Sequence, residues 1–319
     1  QDGTCASATT SSGSWVATER SAFTAGTISS TGQSLCDGGS FSTISSSVAA
    51  SGGDNSISYT WHKDGGSAIG GATSATYTPT ESGTFTRKAQ DGTCASATTA
   101  SGSWVVTVNS NPTASPSVTG TNPICDGAST SLDAGASGGD GSYTYSWDNS
   151  GSLDDNTSGT PTSTPTSTTS YAVTVTDGNG CIGSGSGASV TVNGAFSPGS
   201  ISSTGETICY NADASAISSS SLPSGGAGSY SYQWYSSTNG GSTYSLIGGA
   251  TSSSYDPGTL TTTTVFKRKD IDTQCGSVYA ANTWTVTVRS AFTAGTISST
   301  GETICNGGSF STISSSVAA

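Results

Sequence analysis

The chain has 319 residues, of which 120 are serine or threonine and 44 are glycine; charged residues make up 9%, and the formal charge is −12. So acidic a chain argues against nucleic acid or anionic lipid as a main partner, since both demand cationic surfaces. No apolar run approaches the roughly 18 residues of a membrane span, which argues against direct membrane insertion.

Residues 1–20 read as the C-terminal fragment of a module, because Gln1–Thr10 (QDGTCASATT) recurs at Gln90–Thr99. Three complete modules follow, at 21–108, 109–192 and 193–288. Residues 289–319 open a further one: Ser290–Ala319 repeats Ser21–Ala50 with changes only at Gln33, Ser34, Leu35 and Asp37, which become Glu302, Thr303, Ile304 and Asn306. Such self-similarity is the signature of an array, and the chain reads as a segment of a longer polymer.

Low charge and abundant Ser and Gly would suit a disordered chain, but aromatic and β-branched residues recur at fixed module positions, which solvating sequence has no need of. Each module begins with a pair of short strands and reaches a Gly-rich turn, SGGD at Ser51 and Ser137 and SGGAG at Ser224. A central strand follows, marked YTW, YSW or YQW and ending at Trp61, Trp147 or Trp234. A variable middle comes next, with IGGATSATY from Ile69 and IGGATSSSY from Ile247. Strands then start at Phe85, Tyr171 and Phe266, and the modules close with WVVTV, SVTV and TWTVTV.

Alternate residues of a strand share a face, so Trp104, Val106 and Val108 line one side, as do Trp284, Val286 and Val288. With Trp61, Trp147 and Trp234, these closing-strand tryptophans are the expected core anchors. About seven strands per module predict an all-β fold of tandem immunoglobulin-like sandwiches. The two-residue connections Asn109–Ser110 and Arg289–Ser290 predict an extended, semi-rigid array. Gly151–Ser170, with Pro161 and Pro165, reads as the most loop-like stretch.

The cysteines alternate between an early class (Cys36, Cys125, Cys209, Cys305) and a late class (Cys5, Cys94, Cys181, Cys275). This spacing points to oxidation outside the cytoplasm; zinc is disfavoured because no CxxC pair exists and His62 is the only histidine. The preferred pairing lies within modules: Cys36 with Cys94, Cys125 with Cys181, and Cys209 with Cys275, each worth roughly 4 kcal/mol in the chain-entropy model. Cys5 and Cys305 are then unpaired or paired beyond the chain. A head-to-tail alternative joins Cys36 to Cys181 and Cys125 to Cys275, and sandwich geometry favours it, because the first turn and last hairpin of a module lie at opposite poles.

Little else carries chemistry. No GxSxG elbow is present and His62 reads as a surface substitution, so no enzyme and no cofactor are expected. Asp154 and Asp155 form a candidate calcium turn without a complete ligand loop. The basic segments FTRKA (Phe85–Ala89) and VFKRKD (Val265–Asp270) suggest an exposed cationic face. Candidate glycosylation positions are the Asn156-Thr157-Ser158 triplet and the mucin-like tract with Thr160, Thr162, Ser163 and Thr164.

The PICDGAS and TICNGGS segments, the Tyr-x-Tyr-x-Trp run ending at Trp147 and YAVTVTDGNGC at Tyr171–Cys181 resemble the immunoglobulin-like and PKD-like repeats of large secreted surface proteins of Bacteroidota, including gliding-motility adhesins. The resemblance spans essentially the whole chain and implies a cell-surface location and no one activity. The expected function is a structural segment of an extracellular filament or adhesin stalk that self-associates into fibres. The alternatives are glycan-binding or other cell-surface adhesin modules, with sugar bound at Trp61, Trp147 or Trp234, and accessory domains of a secreted hydrolase.

Overall fold

The computed structural model describes residues 13–92, 96–297 and 300–317. Among them the only helical element is the 3-10 turn Ser150–Ser152; the remaining regular structure is strand. Two compact units result, one of Gln1–Ser115, Ala134–Ser146 and Val173–Gly185, the other of Pro116–Asp133, Trp147–Ala172 and Ser186–Ala319. The division passes through the second module.

In the first unit a sheet runs in the order Gln33–Cys36, Trp104–Asn109, Gly83–Asp91, Ile57–Lys63, with Thr98–Thr99 added on Gly83–Asp91. The leading strand Gln33–Cys36 lies parallel to the closing strand, with Cys36 opposite Asn109. The other neighbours are antiparallel. Against this sheet packs the short pair Thr27–Ile28 and Ser46–Val48, continued by the Ile44–Tyr77 bridge. Alternation decides what is buried. Phe85, Arg87, Ala89 and Asp91 face inward, while the residues between them are partly or fully exposed. Trp61 packs on Tyr77 at 5.6 Å between ring centres and meets Ile28, Ile44, Phe85 and Val106 in the core. Burying one such indole contributes roughly 4–6 kcal/mol of gross transfer free energy.

In the second unit the equivalent sheet runs Glu206–Ile208, Trp284–Val288, Thr264–Asp272, Tyr230–Ser237, Ser245–Leu246, with Gly276–Tyr279 on Thr264–Asp272. Leading and closing strands are again parallel. Ile201, Ile217, Trp234, Phe266, Trp284 and Val286 form its core. Both units therefore hold the two facing sheets of an immunoglobulin-like sandwich, repeated in tandem.

The tract Gly151–Ser170 is mostly irregular, with Thr162–Ser163 a short edge strand paired with Thr130–Ser131 and with Pro161 and Pro165 buried. One expectation needs correction here. The basic segments do not expose all their charges, because Arg87 and Arg268 are fully buried. Each has the inward parity of the Phe85 or Phe266 two residues before it.

Candidate functional site: disulfide-stapled module junctions

The parallel leading strand decides where the early cysteines lie. It ends beside the residues through which the chain leaves the module. Asp37 N–H donates to Asn109 O at 2.8 Å, and Asp126 N–H to Asn193 O at 3.0 Å. Asn109 in turn donates to Ser34 Oγ, and Asn111 to Asp37 O, fixing the exit.

The late cysteines sit on hairpins organised by a buried aspartate. Asp177 Oδ1 accepts the N–H groups of Asn179 and Cys181 at 3.0 and 2.8 Å, and its Oδ2 accepts Asp140 N–H at 3.2 Å. Asp272 does the same for Gln274, Cys275 and Ala227 at 3.1, 2.7 and 3.0 Å. Burial alone would raise the Asp272 carboxyl, but these backbone donors and that of Gly228 together hold it below its ordinary value. In the first module Asp91, also buried, accepts Asp54 N–H at 3.0 Å.

The two classes meet across successive modules. Cys36 is bonded to Cys181 with Cα atoms 5.5 Å apart, and Cys125 to Cys275 with Cα atoms 5.6 Å apart. Around the first bond, Gly183 lies so close to the connection that a Cβ would come within 2.0 Å of Pro112 O. Around the second, Gln274 bridges the junction, donating to Pro123 O at 2.6 Å and accepting from Asn193 Nδ2 at 3.1 Å.

The preferred pairing within modules is thus corrected: Cys36–Cys94, Cys125–Cys181 and Cys209–Cys275 do not form. The third module shows the physical reason. Its leading strand finishes near the start of the nine-residue strand Thr264–Asp272, and Cys275 lies beyond that strand's other end. A strand of that length spans about 30 Å, while bonded cysteines need Cα atoms within about 7 Å. Cys209 and Cys305 are exposed and unbonded among the described residues. Cys5 and Cys94 lie outside the described residues.

Trp61, Trp147 and Trp234 are buried, and their Nε1 groups donate to Ser74 O, Ser158 O and Ser252 O at 2.8–2.9 Å. They present no ring to a sugar, which removes the expected glycan contact at these residues. Trp104 and Trp284 are buried too, with no partner for Nε1 among the described residues. Ser163 is fully buried and bonded to the Tyr171 hydroxyl at 2.6 Å, so it cannot accept glycan in the folded module. Asn156 and Thr162 are half-buried, and Thr160 and Thr164 are exposed.

The calcium candidates close a turn instead of converging on a cation. Asp154 Oδ1 accepts Asp155 N–H and Thr162 N–H, and Asp155 Oδ1 accepts the N–H and hydroxyl of Thr157. These bonds, led by Thr162 and Thr157 respectively, hold both carboxyls below the ordinary value. Among the described residues no group of three or more His, Cys, Asp or Glu could hold a metal ion. His62 is half-buried, its Nδ1 2.9 Å from Gly66 O.

The aspartates were the residues that sequence reasoning missed. Their signal is short and repeated: Asp2, Asp91, Asp177 and Asp272 each precede a late cysteine by three or four positions.

A family model described as a domain of unknown function, DUF8696, matches residues 197–290. No curated protein matches the chain. Among solved structures, it is similar to the I-band fragment I67-I69 from titin at 14% identity, covering 86% of this chain and all of that one with a TM-score of 0.45. It is also similar to three N-terminal domains of the bacteriophage RB49 outer capsid protein Hoc, at 16% identity, 85% and 100% coverage and a TM-score of 0.36. The N-terminal eight immunoglobulin domains of Down Syndrome Cell Adhesion Molecule match at 13% identity, with 82% and 36% coverage and a TM-score of 0.42.

Proposed function

We propose that this chain is a structural segment of an extracellular filament or adhesin stalk. The observation that carries the reading is the direction of its disulfides. A bond within each module would stabilise single domains, whereas Cys36–Cys181 and Cys125–Cys275 tie each module to the next. The two covalent loops overlap between Cys125 and Cys181, so the shortest covalent path from one bond to the other runs through this part of the second module. The longer paths through the first and third modules cannot be drawn out to their full length while the bonds last. Persistent disulfides also belong to oxidising space outside the cytoplasm. The motifs that resemble Bacteroidota surface repeats support the same setting, and in such a stalk end-to-end and lateral self-association builds fibres.

Single-molecule pulling tests the mechanical role. Under oxidising conditions the segment from Cys36 to Cys275 should extend to no more than about 200 Å, the reach of the path between Cys125 and Cys181, and a thiol reductant should release an added extension on the order of several hundred Å. Equal extension with and without reductant would remove the mechanical reading.

A further inference from the structure

The third module carries a surface that the first lacks. On its large sheet Trp234, Arg268 and Ala280 face the core, so Tyr235, Lys267, Lys269 and Tyr279 face outward. The Lys267 ammonium lies between two rings, 3.8 Å from the centre of Tyr244 and 3.9 Å from that of Tyr279. Tyr235 meets Tyr279 edge-on at 5.7 Å, and Leu246, opposite Tyr235 in register, is 59% exposed. Among the described residues neither Lys267 nor Lys269 is ion-paired. The same lattice positions in the first module hold His62, Thr86, Lys88 and Thr99, so the sandwich does not require the cluster.

Exposed Tyr279 with half-buried Tyr235 and Tyr244, beside exposed Leu246, has the composition of a protein contact surface, and the two half-buried lysines call for an acidic partner. The chain supplies one. Residues 109–192 contain seven acidic side chains and no lysine or arginine. Among them Asp154 and Asp155 are adjacent and both exposed in one turn, where their Oδ1 atoms are used by the backbone. That bonding fixes both carboxylates in place and keeps them ionised. The contact pairs two different faces, and where it runs one way from copy to copy without closing, such heterologous contacts propagate into filaments.

We infer that the Tyr235–Lys267–Lys269–Tyr279 face of one copy docks on the Asp154–Asp155 face of the second module in another copy. This rests on the self-association part of the stalk reading and names its interface.

The test is a charge swap followed by sedimentation velocity on the 319-residue chain. One variant carries Lys267→Glu and Lys269→Glu, the other Asp154→Lys and Asp155→Lys, with circular dichroism and mapping of the Cys125–Cys275 bond as folding controls. The unmodified chain should associate in about 0.05 M NaCl and weaken at about 0.5 M. Each variant alone should associate on the order of tenfold more weakly, and an equimolar mixture should recover a heterodimer. Unchanged association in either variant, or no recovery on mixing, overturns the interface. Loss of binding to a polyuronate probe in the lysine variant with self-association intact would likewise overturn it, in favour of an acidic glycan. The pulling experiment is independent, so failure here leaves the mechanical reading standing.

Discussion

Arg87 and Arg268 occupy the same place in two modules, and a single neighbour separates them. Both guanidinium groups are fully buried, both donate to a serine hydroxyl (Ser46 or Ser219) and to a backbone carbonyl (Ala75 at 2.9 Å or Ser253 at 2.7 Å), and both lie over a tyrosine, Tyr59 or Tyr232. In the third module Asp270, two residues on, accepts Arg268 Nε at 2.6 Å and Nη2 at 3.1 Å, and Gly199 N–H completes the carboxylate at 2.8 Å. In the first module that position is Ala89. There the backbone offers a carbonyl instead: Ala25 O accepts Arg87 Nη2 at 3.1 Å, beside Gly26 at φ 70°, and Arg87 Nε has no partner among the described residues. Burial lowers the Arg87 guanidinium below its ordinary value, and Tyr59 opposes that shift. The second module fills the corresponding positions with buried Val173 and Val175. One sandwich thus accepts a paired charge, an unpaired charge or none, and what changes is how many polar groups the backbone must satisfy.

The sharpest way to break the pair is Asp270→Ala. It strands Arg268 and the Gly199 N–H together in the core, and the expected cost is about 3–5 kcal/mol in denaturant unfolding of the third module. Replacing both residues, Arg268→Met with Asp270→Val as in an apolar core, should recover most of that loss. If Asp270→Ala costs no more than a surface substitution, the buried pair contributes nothing to this fold.

The opposite change, Ala89→Asp, adds to the first module the carboxylate it lacks. Arg87 Nε gains an acceptor, but the second oxygen meets a backbone that turns a carbonyl where the third module has Gly199 N–H. A gain of only about 1 kcal/mol is therefore expected, well short of the loss above. A net destabilisation would mean that Gly26 holds the backbone too firmly to respond.

These positions also show what the sequence made legible. Trp61 and Trp234 on central strands and Val106 and Val286 on closing strands follow the period of two, and the sandwich can be read from them. The same period places Arg87 inward with Phe85, yet residue type outweighs parity when a basic residue is presumed to be solvated. The junctions were less accessible. Which cysteines meet depends on the leading strand running parallel to the closing one, a pairing set by contacts between residues some seventy positions apart, such as Gln33 with Val106. Local propensity carries no record of such pairing. Ser163 shows the same limit, since a hydroxyl in a Thr/Ser tract is marked as buried only by its partner Tyr171.

The smallest effect should come from acid, and it bears on the carboxylates that serve the junctions instead of the core. Because the Asp272 carboxyl is held below its ordinary value in the folded chain, its contribution is fully present above the unfolded pKa of about 3.9 and is lost as pH falls through the lower folded value. Protonation removes a charged acceptor from Cys275, Gln274 and Ala227 and loosens the hairpin that holds the disulfide. Reduction of Cys125–Cys275 by a phosphine, which acts in acid, should therefore be faster near pH 3 than near pH 6 after correction for the reagent's own protonation. Substituting Asp272→Asn should raise the rate near pH 6 and flatten the profile. A profile unchanged by that substitution would show that the backbone holds the hairpin without the carboxylate, and that Asp272 differs from Asp270 in carrying no strain when its charge is removed.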